Sequence, residues 1–351
     1  MNQSLSARGR SGSRLLMIFS FFLLLLLMVP GFRMKAEAQI TFDRAEVNVL
    51  RGQTRKLKVR CSSKYKIRSS DKSIAKVTHA GIVTGMKNGT CRIIVTCGSE
   101  TASIQVNVMS SIRSSETLFI GHRGYQDRYP ENTISSFRGA LNYGAGGVEF
   151  DLWRTESNDL LVFHDQSLAR MCKYSKTIEE VTAKSRSKYK VRANGKKDVI
   201  PTLDEAVSFL SKKGKVAFIH LKRPHVMIGS AGDMIANCIR KYNMVSKAVV
   251  FCSNLDTIAY FSSHHPDIQT GYLYLKSSKH NVPDYIKQAK SAGASWFFHY
   301  YSTSVSYSNI KLAQQLGMKA GLYRTIKQKT VLDLLDYGAD FIMLYHKLIK
   351  K

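Results

Sequence analysis

Leu118-Phe119-Ile120-Gly121, the amphipathic segment 134–142, and then Gly147-Val148-Glu149-Phe150-Asp151-Leu152 follow one another in a single stretch of the chain. Apolar runs this short suit strands, and an amphipathic segment between two of them is the pattern of a strand–helix–strand unit. The pattern continues downstream. Further strand candidates fall at 216–221, 248–252, 271–275, 295–298, 319–323 and 341–344, and further amphipathic segments at 203–211, 227–242, 283–292, 308–316 and 330–337. Eight β segments with intervening helices over residues 117–351 predict an α/β fold, a (β/α)8 TIM barrel. An open doubly wound sheet is the alternative, but no G-x-G-x-x-G follows a strand to favour it.

Upstream the character differs. Residues 39–108 read as short strands separated by turns, with period-2 alternation in 57–61 and 101–108 and with Gly81, Gly85 and Gly89 punctuating apolar pairs. That spacing predicts a small all-β sandwich of immunoglobulin type preceding the barrel. Residues 109–116 are polar and read as a linker. Further upstream, Arg8, Arg10 and Arg14 precede an apolar run at 15–29, followed by Ala36-Glu37-Ala38. A basic start, a short apolar core and an A-x-A site predict an export signal over 1–38, cleaved after Ala38. Arg33 and Lys35 just beyond the run leave an uncleaved anchor as the alternative. Either way the folded part is expected to be exported, secreted or membrane-anchored at the cell surface.

The chain of 351 residues carries 53 Lys+Arg against 25 Asp+Glu, a net charge of +28. That balance favours anionic partners, such as an anionic cell surface or membrane, although a solvated basic surface gives the same composition. No nucleic-acid-binding signature is present, so nucleic acid is not expected. The six cysteines match no paired metal-ligand spacing. Outside the cytosol disulfides are permitted, and Cys61 with Cys91 or Cys97 is the best pair; buried free thiols are the other reading.

Three clusters carry chemistry, and they fall near the ends of the first three predicted barrel strands, where barrel enzymes place their sites. The first is Gly121-His122-Arg123-Gly124 with Pro130-Glu131-Asn132-Thr133. The His can move protons, and the Arg can grip a phosphate bidentately. Asn132 or Thr133 is also placed to cap the following helix. The second is Glu149-Phe150-Asp151: residues two apart in a strand share a face, so two carboxylates project inward together. Buried together they repel, and a divalent cation removes that cost. A salt-bridged pair with Arg123 or Lys222 is the structural alternative. The third is Val162-Phe163-His164-Asp165, whose His makes an acid/base pair with His122 plausible.

Two resemblances follow. Residues 69–77, 80–85 and 89–93 resemble the bacterial immunoglobulin-like domain, group 2, which implies an adhesion or spacer module. His122-Arg123-Gly124, Pro130-Glu131-Asn132-Thr133, Phe137, Ala140, Gly144-Ala145, Glu149-x-Asp151, Thr155 and Val162-x-His164-Asp165 resemble the glycerophosphodiester phosphodiesterase family in order and spacing. The resemblance implies a metal-dependent phosphoric diester hydrolase acting on glycerophosphodiesters of lipids or of glycerophosphate polymers. It implies His122 and His164 as the acid/base pair and Arg123, Glu131, Asn132 and Lys222 as the substrate-binding set. In that set Arg123 clamps the phosphate, while Glu131 and Asn132 orient the site. Glu149 and Asp151 are implied as metal ligands, with Ca or Mg the family's usual ion.

The sequence departs from that family in three places. Ile219-His220-Leu221-Lys222 stands where a Glu and a Lys two apart are usual, so His220 takes the third ligand position and makes Mn or Zn an alternative. Arg324-Thr325 stands where Trp-Thr is usual, and Leu344-Tyr345-His346-Lys347 where T-D-x-P is usual. These changes motivate a competing reading, a cell-surface protein that binds phosphodiesters without cleaving them or with altered specificity.

Overall fold

The structure is a computed structural model and describes residues 40–112, 114–276, 281–300, 302–325 and 327–345. The segment read as an export signal, and His346 and Lys347, lie outside the described residues. No helix among the described residues is long and apolar enough to cross a membrane.

All eight predicted strands form, and they close into a parallel barrel. They are β1 (Leu118–His122), β2 (Gly147–Arg154), β3 (Val216–Leu221), β4 (Ala248–Cys252), β5 (Gln269–Tyr274), β6 (Trp296–His299), β7 (Lys319–Thr325) and β8 (Phe341–Leu344). β1 pairs with β8 on one side and with β2 on the other, which closes the ring. The crossovers carry α1 (Ile134–Asn142), α2 (Leu203–Lys212), α3 (Ser230–Lys241), α4 (Leu255–His264), α5 (Val282–Ser291), α6 (Tyr307–Gln315) and α7 (Gln328–Asp336).

Two helices differ from the sequence reading. α3 starts at Ser230 because Pro224 opens a separate tight turn and Gly229 sits at φ 62°, which breaks the helical path. α4 was not anticipated, although Asn254 caps it by accepting from the Thr257 N–H at 2.7 Å.

Alternation along the strands builds two cores. One face packs outward on the helices, with Val148, Phe150, Leu152, Ile219 and Val250. The other fills the barrel with Phe218, Phe251, Phe298, Phe341 and Trp296. Gly271 serves this aromatic plug: a Cβ there would run into the Phe298 ring. The plug makes the barrel a packed core and not a pore.

Between β2 and α2 the chain makes an excursion with its own core of Trp153, Leu161, Phe163, Leu168, Met171, Ile178, Val191 and Ile200. Its strand Leu160–Val162 runs antiparallel to β2. This corrects the placing of the third cluster at the third barrel strand, which is β3. The five residues 155–159 that join the two strands are too few for a parallel crossover, which takes about a dozen.

The N-terminal part is a sandwich. One sheet orders Glu46–Leu50, Glu100–Met109, Gly89–Cys97 and Tyr65–Ser69; the other orders Thr54–Lys56, Ile82–Gly85 and Ala75–Val77. Val47, Val49, Val83, Ile93, Val95, Val106 and Val108 fill the space between them. Cys61 and Cys97 form a disulfide, with Cα atoms 6.6 Å apart, and Cys91 is a buried free thiol.

The sandwich docks on α7 through a buried carboxylate. Asp336 accepts from Arg44 at 2.5 Å, from Arg55 at 2.6 Å and from the Asn48 backbone N–H at 2.6 Å. Burial pushes Asp336 up to about 6, against the pull of the two guanidinium groups.

Candidate active site

Strand register assembles the site. His122 pairs with Glu149 across β1 and β2, and Asp151 pairs with His220 across β2 and β3. His122 ends β1 and His220 is the last residue but one of β3, and register sets Glu149 and Asp151 of the longer β2 level with them, so the four side chains converge above the aromatic plug. Glu149, Asp151 and His122 are fully buried. The ligand atoms of Glu149, Asp151 and His220 lie within 4.8 Å of one another. His220 Nδ1 is 2.9 Å from Asp151 Oδ1, and its ring stacks on Phe251 at 4.9 Å.

The backbone around this cluster is bent to serve it. Arg123 and Asn132 both adopt left-handed φ, 55° and 56°. A residue other than glycine held there costs on the order of 1–3 kcal/mol, and such strain gathers at functional sites. In return the Arg123 N–H donates to Glu149 Oε2 at 3.0 Å. The Asn132 amide donates to Asp151 Oδ2 at 2.9 Å and accepts from the Asp151 N–H at 3.2 Å. Thr133, not Asn132, caps α1, accepting from the Ser136 N–H at 3.3 Å.

Cations surround the two carboxylates. Arg123 Nε lies 3.2 Å and Lys222 Nζ 3.6 Å from Asp151, while Arg123 Nη1 reaches Glu131 at 3.0 Å. The structural alternative weighed for the acidic pair therefore holds for Asp151, alongside its contact with His220. Glu131 also receives Arg170 at 2.6 Å, so its carboxylate faces two arginines and braces Arg123.

His164 approaches through the backbone, because the Phe163 N–H donates to the Asp151 carbonyl at 3.0 Å. Its Nδ1 is 2.5 Å from Asp165, which Arg170 holds in turn at 2.5 Å.

Electrostatics separate the groups. Burial and the neighbouring Asp151 charge push Glu149 up to about 8. Burial alone would raise Asp151 as well, but Arg123, His220 and Lys222 hold it well below the carboxylate range. Burial and then Arg123 push His122 well below its usual value, and burial lowers His164 and His220. His122 Nε2 is buried without a hydrogen-bond partner, 3.8 Å from Glu149.

The sequence reading missed Tyr323 on β7. Its hydroxyl donates to Glu149 Oε1 at 3.1 Å and lies 3.2 Å from His220 Nδ1. It also missed Arg170, whereas Tyr345, noted there as a departure in the last strand, packs its ring on His122 at 4.8 Å. Tyr323 had one legible signal, a polar aromatic at the C-terminal end of a barrel strand.

Residues 122–344 match the glycerophosphoryl diester phosphodiesterase family, and residues 37–108 match the bacterial Ig-like domain (group 2). The chain belongs to the glycerophosphoryl diester phosphodiesterase family, and its barrel is an enzyme of the phosphoric diester hydrolase class. A glycerophosphodiester phosphodiesterase of Caldanaerobacter subterraneus subsp. tengcongensis is 28% identical over 163 residues, 45% of this chain and 67% of that protein. Glycerophosphodiester phosphodiesterase 1 of Mus musculus is 29% identical over 147 residues, 40% of this chain and 44% of that protein.

Among solved structures, a glycerophosphodiester phosphodiesterase from Parabacteroides distasonis superimposes with TM-score 0.56 at 22% identity, covering 66% of this chain and 94% of that one. An Oleispira antarctica phosphodiesterase in complex with the product sn-glycerol-3-phosphate gives 0.53 at 18% identity, covering 65% and 93%. At these identities the two structures show the shared barrel fold.

Proposed function

We propose that the barrel hydrolyses glycerophosphodiesters outside the cytosol, with a divalent cation held by Glu149, Asp151 and His220 and with His122 and His164 as the acid/base pair. The observation that carries the reading is the convergence of two fully buried carboxylates and an imidazole, their ligand atoms within 4.8 Å, beside His122 and Arg123. The donor set fits a cation. Glu149 is pushed up to about 8 by burial and by Asp151, so it keeps a proton at neutral pH unless another positive charge takes that place. Two carboxylates with one imidazole suit Mn or Zn better than Ca. When bound, such an ion supplies charge neutralisation at the phosphate oxygens.

The chain's own groups do the rest. Arg123, braced by Glu131 and Asp151, grips a non-bridging phosphate oxygen, and Lys222 adds a second positive charge. His122 is held neutral and its Nε2 has no partner, so it accepts the proton of the attacking hydroxyl, from water or from the neighbouring glycerol hydroxyl. That oxygen bonds to phosphorus as the phosphorus–alcohol bond breaks. Burial lowers His164, while Asp165 and the negative charge of the bound diester favour its imidazolium, which gives its proton to the departing alkoxide oxygen. With water as nucleophile the products are a glycerol phosphate and the free alcohol. With the glycerol hydroxyl the first products are a cyclic glycerol phosphate and the alcohol, and water then opens the ring to glycerol phosphate, the product named in the Oleispira antarctica complex.

The outside location draws on the export-like N-terminus, on the Cys61–Cys97 disulfide, which belongs to oxidising compartments, and on the net charge of +28, which favours an anionic surface. The test is release of glycerol phosphate from glycerophosphoglycerol across Ca, Mg, Mn and Zn, with and without chelator. Turnover that a chelator abolishes and an ion restores is expected. Binding of the diester without turnover under any ion would favour the non-catalytic reading motivated by His220.

A further inference from the structure

Position 324 places a second guanidinium at the rim of the site. Tyr323 points in toward Glu149, so plain alternation would turn Arg324 away from the barrel. The β7–β8 pairing, however, shifts register between Leu322 and Thr325, and such irregularities re-aim side chains beside active sites. Arg324 Nη1 donates to the Tyr345 hydroxyl at 2.5 Å and Nη2 to the Tyr300 hydroxyl at 2.6 Å. Its guanidinium also lies over both rings, at 4.8 Å for Tyr300 and 5.7 Å for Tyr345.

Those rings adjoin the groups that do the chemistry. Tyr345 packs on His122 at 4.8 Å, and Tyr300 stacks on Tyr323 at 5.6 Å. Arg324 is near enough to be among the charges that hold His122 neutral.

Arg123, Arg170 and Arg223 each meet a carboxylate. Among the described residues Arg324 meets none within ion-pair distance; it is only partly buried, and its two bonded partners are phenols. A guanidinium has N–H donors beyond the two used here, and the Tyr345 hydroxyl, accepting from Arg324, keeps its own proton to donate. The cluster is thus a fixed set of donors with a positive charge, one ring from the general base.

We propose that Arg324, braced by Tyr300 and Tyr345, forms a second anion subsite, which selects phosphodiesters carrying a further oxyanion, a carboxylate or a second phosphate, over neutral or cationic ones. The proposal rests on the phosphodiesterase reading above.

The test is kcat/KM of the metal-supplemented full chain for four diesters: glycerophosphoglycerol (neutral alcohol), glycerophosphocholine (cationic), glycerophosphoglycerate (carboxylate) and glycerophosphoglycerol phosphate (second phosphate). A charge-assisted contact predicts a preference of about 10- to 100-fold for one or both of the last two, and whichever is preferred names the oxyanion. Arg324→Gln collapses that ratio toward unity, chiefly through KM, and Arg324→Lys keeps part of it. Equal kcat/KM for all four diesters in the unaltered chain overturns the subsite, as does an equal loss on all four in both variants. Absence of turnover on every diester overturns the phosphodiesterase reading itself, a result distinct from turnover without charge preference.

Discussion

His122 is fully buried, yet its Nε2 has no hydrogen-bond partner, and an unpaired buried nitrogen costs about 1–3 kcal/mol. A group retained at that cost is available for proton transfer. His122→Ala should lower turnover about 10²–10⁴-fold while far-UV circular dichroism and the melting temperature stay near those of the parent; full activity in that variant would reject the role. Under the proposed function His220 is the third ligand, and its imidazole is what favours Mn or Zn. His220→Glu gives three carboxylates, so calorimetric titration of the stripped protein should show affinity moving from Mn or Zn toward Ca or Mg; an unchanged order would remove His220 from the ligand set.

Much of this was legible at the residue scale because period-2 alternation puts Glu149 and Asp151 on one face, and because Lys222 shares its face with His220. Tyr323 was legible only as a polar aromatic towards a strand end, since nothing further in its local sequence distinguishes a phenol that donates to a carboxylate from one that only fills a core. Its partner Glu149 lies 174 residues away.

Among the elements, α7 joins the two parts of the molecule. Asp336 sits at its end with 0% exposure, holding Arg44 and Arg55 from the sandwich. Removing one partner of a buried ion pair leaves the others desolvated and costs about 3–5 kcal/mol. Asp336→Ala should therefore lower the denaturation midpoint and open the segment 109–116 to protease; unchanged proteolysis would mean the sandwich is held elsewhere.

Sequence alone could not find this latch, because Arg44 and Asp336 lie 292 positions apart and each looks like a surface charge. The strands were legible because each is a short apolar run. α4 was not, because its polar Ser262-Ser263-His264 end blurs the periodicity.

For the whole molecule, buried histidines tie stability to pH. Burial pushes His299, at the end of β6, down to about 3. The unfolded imidazole titrates near 6.5, so between those values the unfolded chain binds the extra proton. The stability held by neutral His299 is full above about pH 6.5 and falls as pH drops. His122 and His220 act in the same direction, so the clean measurement is a difference. Between pH 7 and 5, urea denaturation of His299→Gln should show a stability loss about 2 kcal/mol smaller than that of the parent; parallel pH curves would contradict the assignment. The barrel closure that brings these groups together was legible as eight short apolar strands separated by amphipathic segments, whereas the docking of the sandwich was not.

Under the proposed function, Glu149, Asp151 and His220 hold the cation on which turnover depends. Mn²⁺ is therefore titrated into the metal-stripped full chain while glycerol phosphate release is followed in the same sample. Turnover should rise in step with binding of the ion and level off when the site fills, and Glu149→Gln should lose both together. Undiminished hydrolysis by the stripped protein in excess chelator would contradict the account.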